Sequence, residues 1–194
     1  MRVLVIGERP RTSAGQILDL DIHVVAARVT RGEARVIRCA TPADLPGELG
    51  RIAAKQRITQ LDFLDHGGEG MQTLGDGLLF ASDAAPDSEL IGIELARQIE
   101  PLLTETAQLR LLGCNTGEGK AGRMLLLKLA RALGGHRIVF GTIDRVGEAD
   151  FDRDGYAEVM ERQRLFSSIA ALDAEAPGAM RRFENMRAVR SAII

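Results

Sequence analysis

Two short segments of the sequence place a reactive side chain next to a glycine. His66-Gly67 follows one apolar run of residues, and Gly113-Cys114 follows another. A cysteine acts as a nucleophile when a base keeps its thiol deprotonated, and imidazole is that base near neutral pH. A glycine after the histidine lets a substrate carbonyl approach closely, and its N–H can donate to an oxyanion. The two segments therefore predict a histidine–cysteine catalytic dyad.

This pair of motifs resembles the caspase-like clan of cysteine peptidases, which includes caspases, metacaspases, legumains, gingipains, separases and CHAT domains. The clan signature is an apolar block followed by His-Gly and, later, an apolar block followed by a small residue and the cysteine. Here the blocks are residues 61–67, Leu-Asp-Phe-Leu-Asp-His-Gly, and residues 109–114, Leu-Arg-Leu-Leu-Gly-Cys. The helix predicted after the cysteine also resembles that of CHAT-like members, so the resemblance covers about residues 1–146.

The resemblance implies a cysteine endopeptidase that hydrolyses the peptide bonds of a protein or peptide substrate. It implies that His66 is the general base, that Cys114 is the nucleophile, and that the N–H groups of Gly67 and Cys114 form the oxyanion hole. It leaves the cleavage preference open, because Leu112 stands where relatives that cut after arginine or lysine often carry an acid. A catalytically inactive caspase-like protein-interaction domain is the alternative function.

A segment further along the chain has the spacing of a calcium-binding loop. Residues 150–161 carry carboxylates at the first, third, fifth and twelfth positions and a glycine at the sixth, as calcium loops do. We therefore predict a Ca²⁺ site here, with a solvated acidic turn that binds no ion as the alternative. The predicted ligands are the side chains of Asp150, Asp152, Asp154 and Glu161 and the main-chain carbonyl of Tyr156.

A third pattern, Gly117-Glu118-Gly119-Lys120, follows a predicted strand and opens a helix, as a phosphate-binding loop does. That motif requires a glycine where this chain has Cys114, and a serine or threonine where it has Ala121. A nucleotide-binding loop is therefore not predicted, although a flavodoxin-type domain that binds an anion at residues 113–119 is a further alternative. The remaining histidines and the other cysteine are interpreted as structural: His23, His136 and Cys39.

Alternating strand and helix patterns must position these residues. They predict an α/β domain of caspase-like architecture, with a mostly parallel sheet and helices on both faces. Active sites of such sheets collect at the carboxyl ends of the strands, so His66 and Cys114 are expected at one edge, on adjacent strands. The predicted strands are residues 3–7, 22–29, 35–39, 61–65, 109–112 and 137–143, the predicted hairpin is 73–80, and the predicted helices include 89–100 (capped by Ser88), 119–133 and 159–172.

Bulk composition predicts one domain over residues 1–194, with a core of about 1–146 and an acidic loop plus helical segment over about 147–194. Apolar residues make up 45% of the chain, charged residues 27%, and the net charge is −2. Neither nucleic acid nor a membrane is therefore an expected partner. No apolar run has the length of a membrane span, and the apolar start of the chain is too short for a signal peptide. We therefore expect a cytoplasmic location and free cysteine thiols.

Overall fold

The computed structural model describes residues 1–8, 25–26, 29, 34–85, 87–153, 155–157, 160 and 163–175. Within these residues, the strands in chain order are β1 (Arg2–Gly7), β2 (Arg35–Cys39), β3 (Ile58–Leu64), β4 (Gly67–Gly68), β5 (Met71–Leu74), β6 (Gly77–Ala81), β7 (Leu103–Leu111), β8 (Ile138–Thr142), β9 (Phe151–Asp152), β10 (Gly155–Tyr156) and β11 (Leu165–Ser167). The helices are α1 (Leu45–Ala53), α2 (Ile93–Ile99), α3 (Gly119–Ala132) and α4 (Ser168–Glu175), with short 3-10 turns at Pro42–Asp44, Glu100–Leu102 and Glu148–Asp150.

Six of these strands form the central sheet, in the spatial order β11-β8-β7-β3-β1-β2. Neighbouring strands are parallel from β2 across to β8, and β11 pairs antiparallel with β8. Parallel strands need crossover connections, and in this chain the crossovers carry the helices. The α/β class and the mostly parallel sheet predicted from the sequence are therefore confirmed.

The two faces of the sheet bury different clusters of side chains. On one face, apolar residues of β1, β3 and β7 pack against α1, α2 and α3 to form the main core. Burial on both faces explains why the strands are nearly continuous apolar runs in the sequence. The cluster on the opposite face, which we call the second-face cluster, consists of Leu4, Ile6, Val25, Ala26, Val29, Leu64, Leu112, Phe151 and Tyr156.

The segment before β2 departs from the sequence prediction. Val25, Ala26 and Val29 are helical and buried, so the strand predicted over residues 22–29 is wrong at these three positions. The β-branched side chains of Val25 and Val29 favour a strand. The spacing of the three residues also places them on one face of a helix, and packing against the sheet selects the helix. His23 lies outside the described residues.

The helix predicted over residues 89–100 begins later in the structure. Helix α2 starts at Ile93, and a 3-10 turn follows it. Ile91 exchanges backbone hydrogen bonds with Ala81, which keeps the chain extended up to that point. Ser88, predicted as the helix cap, instead accepts a hydrogen bond from the ammonium group of Lys128 at 2.6 Å. The cap prediction is therefore wrong, because Ser88 serves a tertiary contact with α3.

The helix predicted over residues 159–172 is interrupted by β11. That strand pairs with β8, which would otherwise be an open sheet edge, and α4 follows it. The predicted hairpin and the helix over residues 119–133 are confirmed as β5–β6 and α3. In the part of the chain that the structure describes, no helix is both long and apolar enough to span a membrane.

Candidate active site

The sheet brings the two predicted catalytic motifs to one edge. β3 and β7 are adjacent parallel strands, and near their carboxyl ends Phe63 lies opposite Leu111. Each strand then continues into its motif, so the two motifs leave the sheet at the same level. His66 and Cys114 line the same cavity there, at the edge where open α/β sheets place their binding groups.

Two glycines, Gly67 and Gly113, lie backbone against backbone between the motifs. A Cβ added to Gly67 would lie 2.8 Å from the Gly113 Cα, and one added to Gly113 would lie 2.7 Å from the Gly67 Cα. Side chains do not approach a backbone so closely, so both positions require glycine. The contact brings the flanking residues, His66 and Cys114, into one cleft.

A buried amide joins the two motifs. Gln72 in β5 is fully buried, and its Oε1 accepts a hydrogen bond from the Gly113 N–H at 2.8 Å. Its Nε2 donates to the His66 carbonyl at 3.1 Å and to the Thr73 carbonyl at 3.0 Å. Sequence reasoning missed Gln72, because a glutamine in a predicted hairpin strand carries no signal that it is buried between two loops.

Buried threonines hold the turn that carries Cys114. The Thr142 hydroxyl donates to the Gly113 carbonyl, and the Thr142 N–H donates to the Thr116 hydroxyl oxygen at 3.0 Å. The Thr116 hydroxyl in turn donates to the Leu111 carbonyl at 3.0 Å. Because Gly113 is held at both its N–H and its carbonyl, the turn that leads to Cys114 is fixed before any ligand binds.

The Cys114 sulfur faces a backbone donor. The Val146 N–H lies 3.4 Å from Sγ, and such a donor stabilises negative charge on sulfur. Cys39 has a different environment: it is buried, its thiol donates to the Thr41 carbonyl at 3.0 Å, and burial raises its pKa. Cys114 is half-buried, so of the two cysteines it has the more accessible sulfur.

Asp65 fixes the backbone immediately before the histidine. Its side chain is buried, with Oδ1 accepting from the His66 N–H at 2.7 Å and Oδ2 accepting from the Gly75 N–H at 2.6 Å. Oδ2 also lies against the end of β1, where a Cβ added to Gly7 would be 2.0 Å away. The carboxylate is therefore directed at backbone groups of β1 and of the β5–β6 turn.

The two N–H groups predicted for the oxyanion hole are both free of partners in the sheet. The Thr73 N–H donates to the His66 carbonyl, so His66 and Thr73 form a hydrogen-bonded pair. The next pair of the β4–β5 ladder, Gly67 with Gln72, is then a non-hydrogen-bonded pair, because the two kinds of pair alternate in antiparallel strands. The Gly67 N–H therefore points away from β5. The Cys114 N–H donates to no acceptor among the described residues. The oxyanion-hole assignment of these two N–H groups stays a prediction.

The predicted calcium loop is described only in part. Asp150 is buried, and its Oδ2 accepts from a backbone N–H at 2.9 Å and from the Arg164 guanidinium at 3.0 Å. Asp152 is exposed at the end of β9. Asp154 and Glu161 lie outside the described residues, and the described ones include no group of three or more His, Cys, Asp or Glu side chains that could hold a metal ion. Calcium binding therefore stays a prediction.

Tyr156, whose carbonyl was predicted as a calcium ligand, buries its ring in the second-face cluster. The ring packs edge to face on Phe151, with centroids 5.4 Å apart. Its hydroxyl is buried, and none of the residues that the structure describes forms a hydrogen bond with it. Desolvation, followed by the negative charge of Asp150, raises the pKa of Tyr156 to about 12.

The chain matches a family model described as a domain of unknown function (DUF4347) over residues 20–176. The matched range includes both motifs and every strand of the central sheet except β1. Searches of curated proteins and of solved structures gave no significant match.

Proposed function

Because this chain belongs to the DUF4347 family, whose description gives no function, we propose its activity from its own site: a caspase-like cysteine endopeptidase. Cys114 is the nucleophile and His66 is the general base. One observation carries the proposal: the carboxyl ends of adjacent parallel strands, β3 and β7, bring these two side chains to one cavity. The caspase-like architecture is likewise a proposal, supported by the mostly parallel sheet and by this placement of the motifs.

The reaction proceeds through a thioester. His66 takes the thiol proton of Cys114, and the resulting thiolate attacks the carbonyl carbon of the scissile bond, forming a C–S bond and placing negative charge on the carbonyl oxygen. The N–H groups of Gly67 and Cys114 donate to that oxyanion. The protonated His66 gives its proton to the leaving amine as the C–N bond breaks. His66 then removes a proton from water, which attacks the thioester and releases the carboxylic acid and the thiol.

Three local features support this assignment. The backbones of Gly67 and Gly113, each adjacent to one of the two reactive residues, are in contact. The N–H of Val146 faces the Cys114 sulfur and stabilises its negative charge. The hydrogen bonds to the backbone of Gly113 fix the cysteine turn in place, as preorganised catalysis requires.

The experiment is incubation of the protein with an unstructured protein substrate, with new amino termini counted over time. Cys114→Ala is expected to abolish cleavage, and His66→Ala to lower it at least about 100-fold. The matched control is Cys39→Ser, whose hydroxyl can keep the hydrogen bond to the Thr41 carbonyl, and it should retain activity. Cleavage that persists in Cys114→Ala would exclude the proposed nucleophile. A folded wild-type protein that cleaves nothing would favour the inactive interaction domain.

A further inference from the structure

The cavity beside the dyad is lined mostly by apolar side chains. Its interior volume is about 90 Å³, and it opens to solvent. The five apolar residues that line it with His66 and Cys114 are Val25, Leu64, Leu112, Val146 and Phe151.

Four of the five apolar walls are held rigidly by packing. Val25, Leu64, Leu112 and Phe151 are all buried members of the second-face cluster. Leu64 and Leu112 lie side by side at the ends of β3 and β7, directly below the two motifs. A cavity with such preformed walls loses little conformational entropy when a side chain enters it.

The charged groups at the cavity disfavour a charged occupant. Among the described lining residues, the carboxyl side chains are Asp65 and Glu148, and none is a lysine or an arginine. An acidic side chain would therefore be desolvated next to like charge. A basic side chain would have to be desolvated against apolar walls, and the Asp65 oxygens already accept from two backbone N–H groups. Burial of a charge without a well-placed partner is strongly unfavourable.

We propose that this cavity binds an aliphatic or aromatic side chain, that of the substrate residue whose carbonyl Cys114 attacks. The inference rests on the proposed function for the identity of its ligand. It goes beyond that function by naming the substrate class, which is peptides with an apolar residue on the amino side of the cut bond.

The first test compares peptides that differ only at that residue, which is leucine, phenylalanine, arginine or aspartate. We expect kcat/KM for the leucine or phenylalanine peptide to exceed that for the arginine and aspartate peptides at least about tenfold, as differential burial in an apolar pocket provides. A faster arginine peptide would overturn the inference and would indicate that Asp65 receives a basic side chain.

A pair of variants locates the selectivity. Val146 is half-buried and lines the cavity, so Val146→Asp should lower cleavage of the leucine peptide and raise cleavage of the arginine peptide. Ile143 is an exposed apolar residue on the same connection that does not line the cavity. Ile143→Asp is therefore the matched control and should leave the preference unchanged. The same shift in both variants would show a general charge effect and overturn the assignment of the cavity.

Binding to Cys114→Ala separates the cavity from the chemistry. The same four peptides should bind this variant with the leucine or phenylalanine peptide at least about tenfold tighter than the charged ones. Equal affinities would overturn the apolar pocket even if the wild-type protein cleaves peptides. Apolar-selective binding together with no cleavage by the wild-type protein would instead keep the pocket and remove the peptidase function.

Discussion

Gly67 and Gly113 are in backbone contact just beyond the ends of two neighbouring strands. The Cα of each glycine occupies space that a side chain on the other would need. Each glycine is adjacent in sequence to one member of the proposed dyad. The pairing of β3 with β7 sets the level of the two strand ends, and the glycine contact brings the chains together beyond them. The juxtaposition of His66 and Cys114 therefore depends on backbone packing as well as on their own side chains.

The glycine contact gives the first prediction. Gly67→Ala and Gly113→Ala should each lower the free energy of unfolding by about 1–3 kcal/mol, because an added methyl group overpacks a closed site, and should lower peptidase activity further than the stability loss explains. Gly47→Ala in α1 is the control, since a Cβ there meets nothing within 4 Å, and it should raise stability by about 0.5–1 kcal/mol. Denaturant unfolding and peptide cleavage measure both effects. Full activity in either site variant would contradict the role of the contact.

The second prediction concerns Gln72 as a positioning residue. Gln72→Met, which keeps the volume but removes both hydrogen-bonding groups, should lower kcat at least about tenfold with little change in KM, because the His66 and Gly113 backbones lose their common partner. Thr73→Val removes one hydrogen bond to the His66 carbonyl without touching Gly113 and should have a smaller effect on kcat. Equal losses in the two variants, or a loss confined to thermal stability, would reduce Gln72 to a purely structural role.

The third prediction concerns the buried hydroxyl of Tyr156. Its pKa of about 12 in the folded protein exceeds the ordinary value of 10.0, so the unfolded chain loses the proton first. Stability should therefore be unaffected by this group below pH 10 and should fall by about 2 kcal/mol as pH rises from 10 to 12. Tyr156→Phe should lack that fall. At neutral pH it should unfold no more easily than wild type, because the hydroxyl has no hydrogen-bond partner among the described residues to lose.

The measurement for Tyr156 is unusually direct. It is the only tyrosine, and the chain has no tryptophan, so tyrosinate absorbance in the near ultraviolet reports this hydroxyl alone. An absorbance titration of the folded protein that is complete near pH 10 would show that the group is solvated. Unfolding free energies of wild type and Tyr156→Phe that change in parallel up to pH 12 would also contradict a buried hydroxyl.

The fourth prediction concerns the calcium loop. Asp150 already accepts a hydrogen bond from Arg164 at 3.0 Å, so a calcium ion at this carboxylate has to displace the guanidinium. We expect millimolar Ca²⁺ to raise the melting temperature, and to raise it more in Arg164→Gln than in wild type, since a ligand of the folded state stabilises it. Asp152→Ala should remove the gain. Melting curves that are identical in EDTA, Mg²⁺ and Ca²⁺ for all three proteins would contradict a calcium site. Asp150 would then serve only in its ion pair with Arg164.

The correctly predicted elements are those whose pattern of apolar residues fits only one kind of secondary structure. Long apolar runs precede His66 and Cys114, and they predict where the two strands end. The Gly75-Asp76-Gly77 sequence predicts a hairpin turn without reference to the rest of the fold. The helix after the cysteine, α3, has both apolar periodicity and a double-glycine stop. These local signals were sufficient to predict the sheet edge that carries the candidate site.

The parts that sequence reasoning missed depend on tertiary packing. Val25 and Val29 are of a residue type that favours strands, yet contact with the sheet makes this segment helical. Gln72 is polar and buried, and its role appears only once the two loops on either side of it are in place. Asp150 fits a calcium loop by spacing, while Arg164, which is distant in sequence, binds it in the structure.

The dyad is tested most directly by the rate at which a peptidyl chloromethyl ketone alkylates each cysteine in wild type and in His66→Ala, followed by peptide mapping with mass spectrometry. The thiolate forms a C–S bond with the methylene carbon and chloride leaves, so the added mass identifies the nucleophile. If His66 activates Cys114, Cys114 alone is modified in wild type, and His66→Ala slows its modification at least about 100-fold. Equal rates in the two proteins, or equal modification of Cys39 and Cys114, would contradict a catalytic His66–Cys114 dyad.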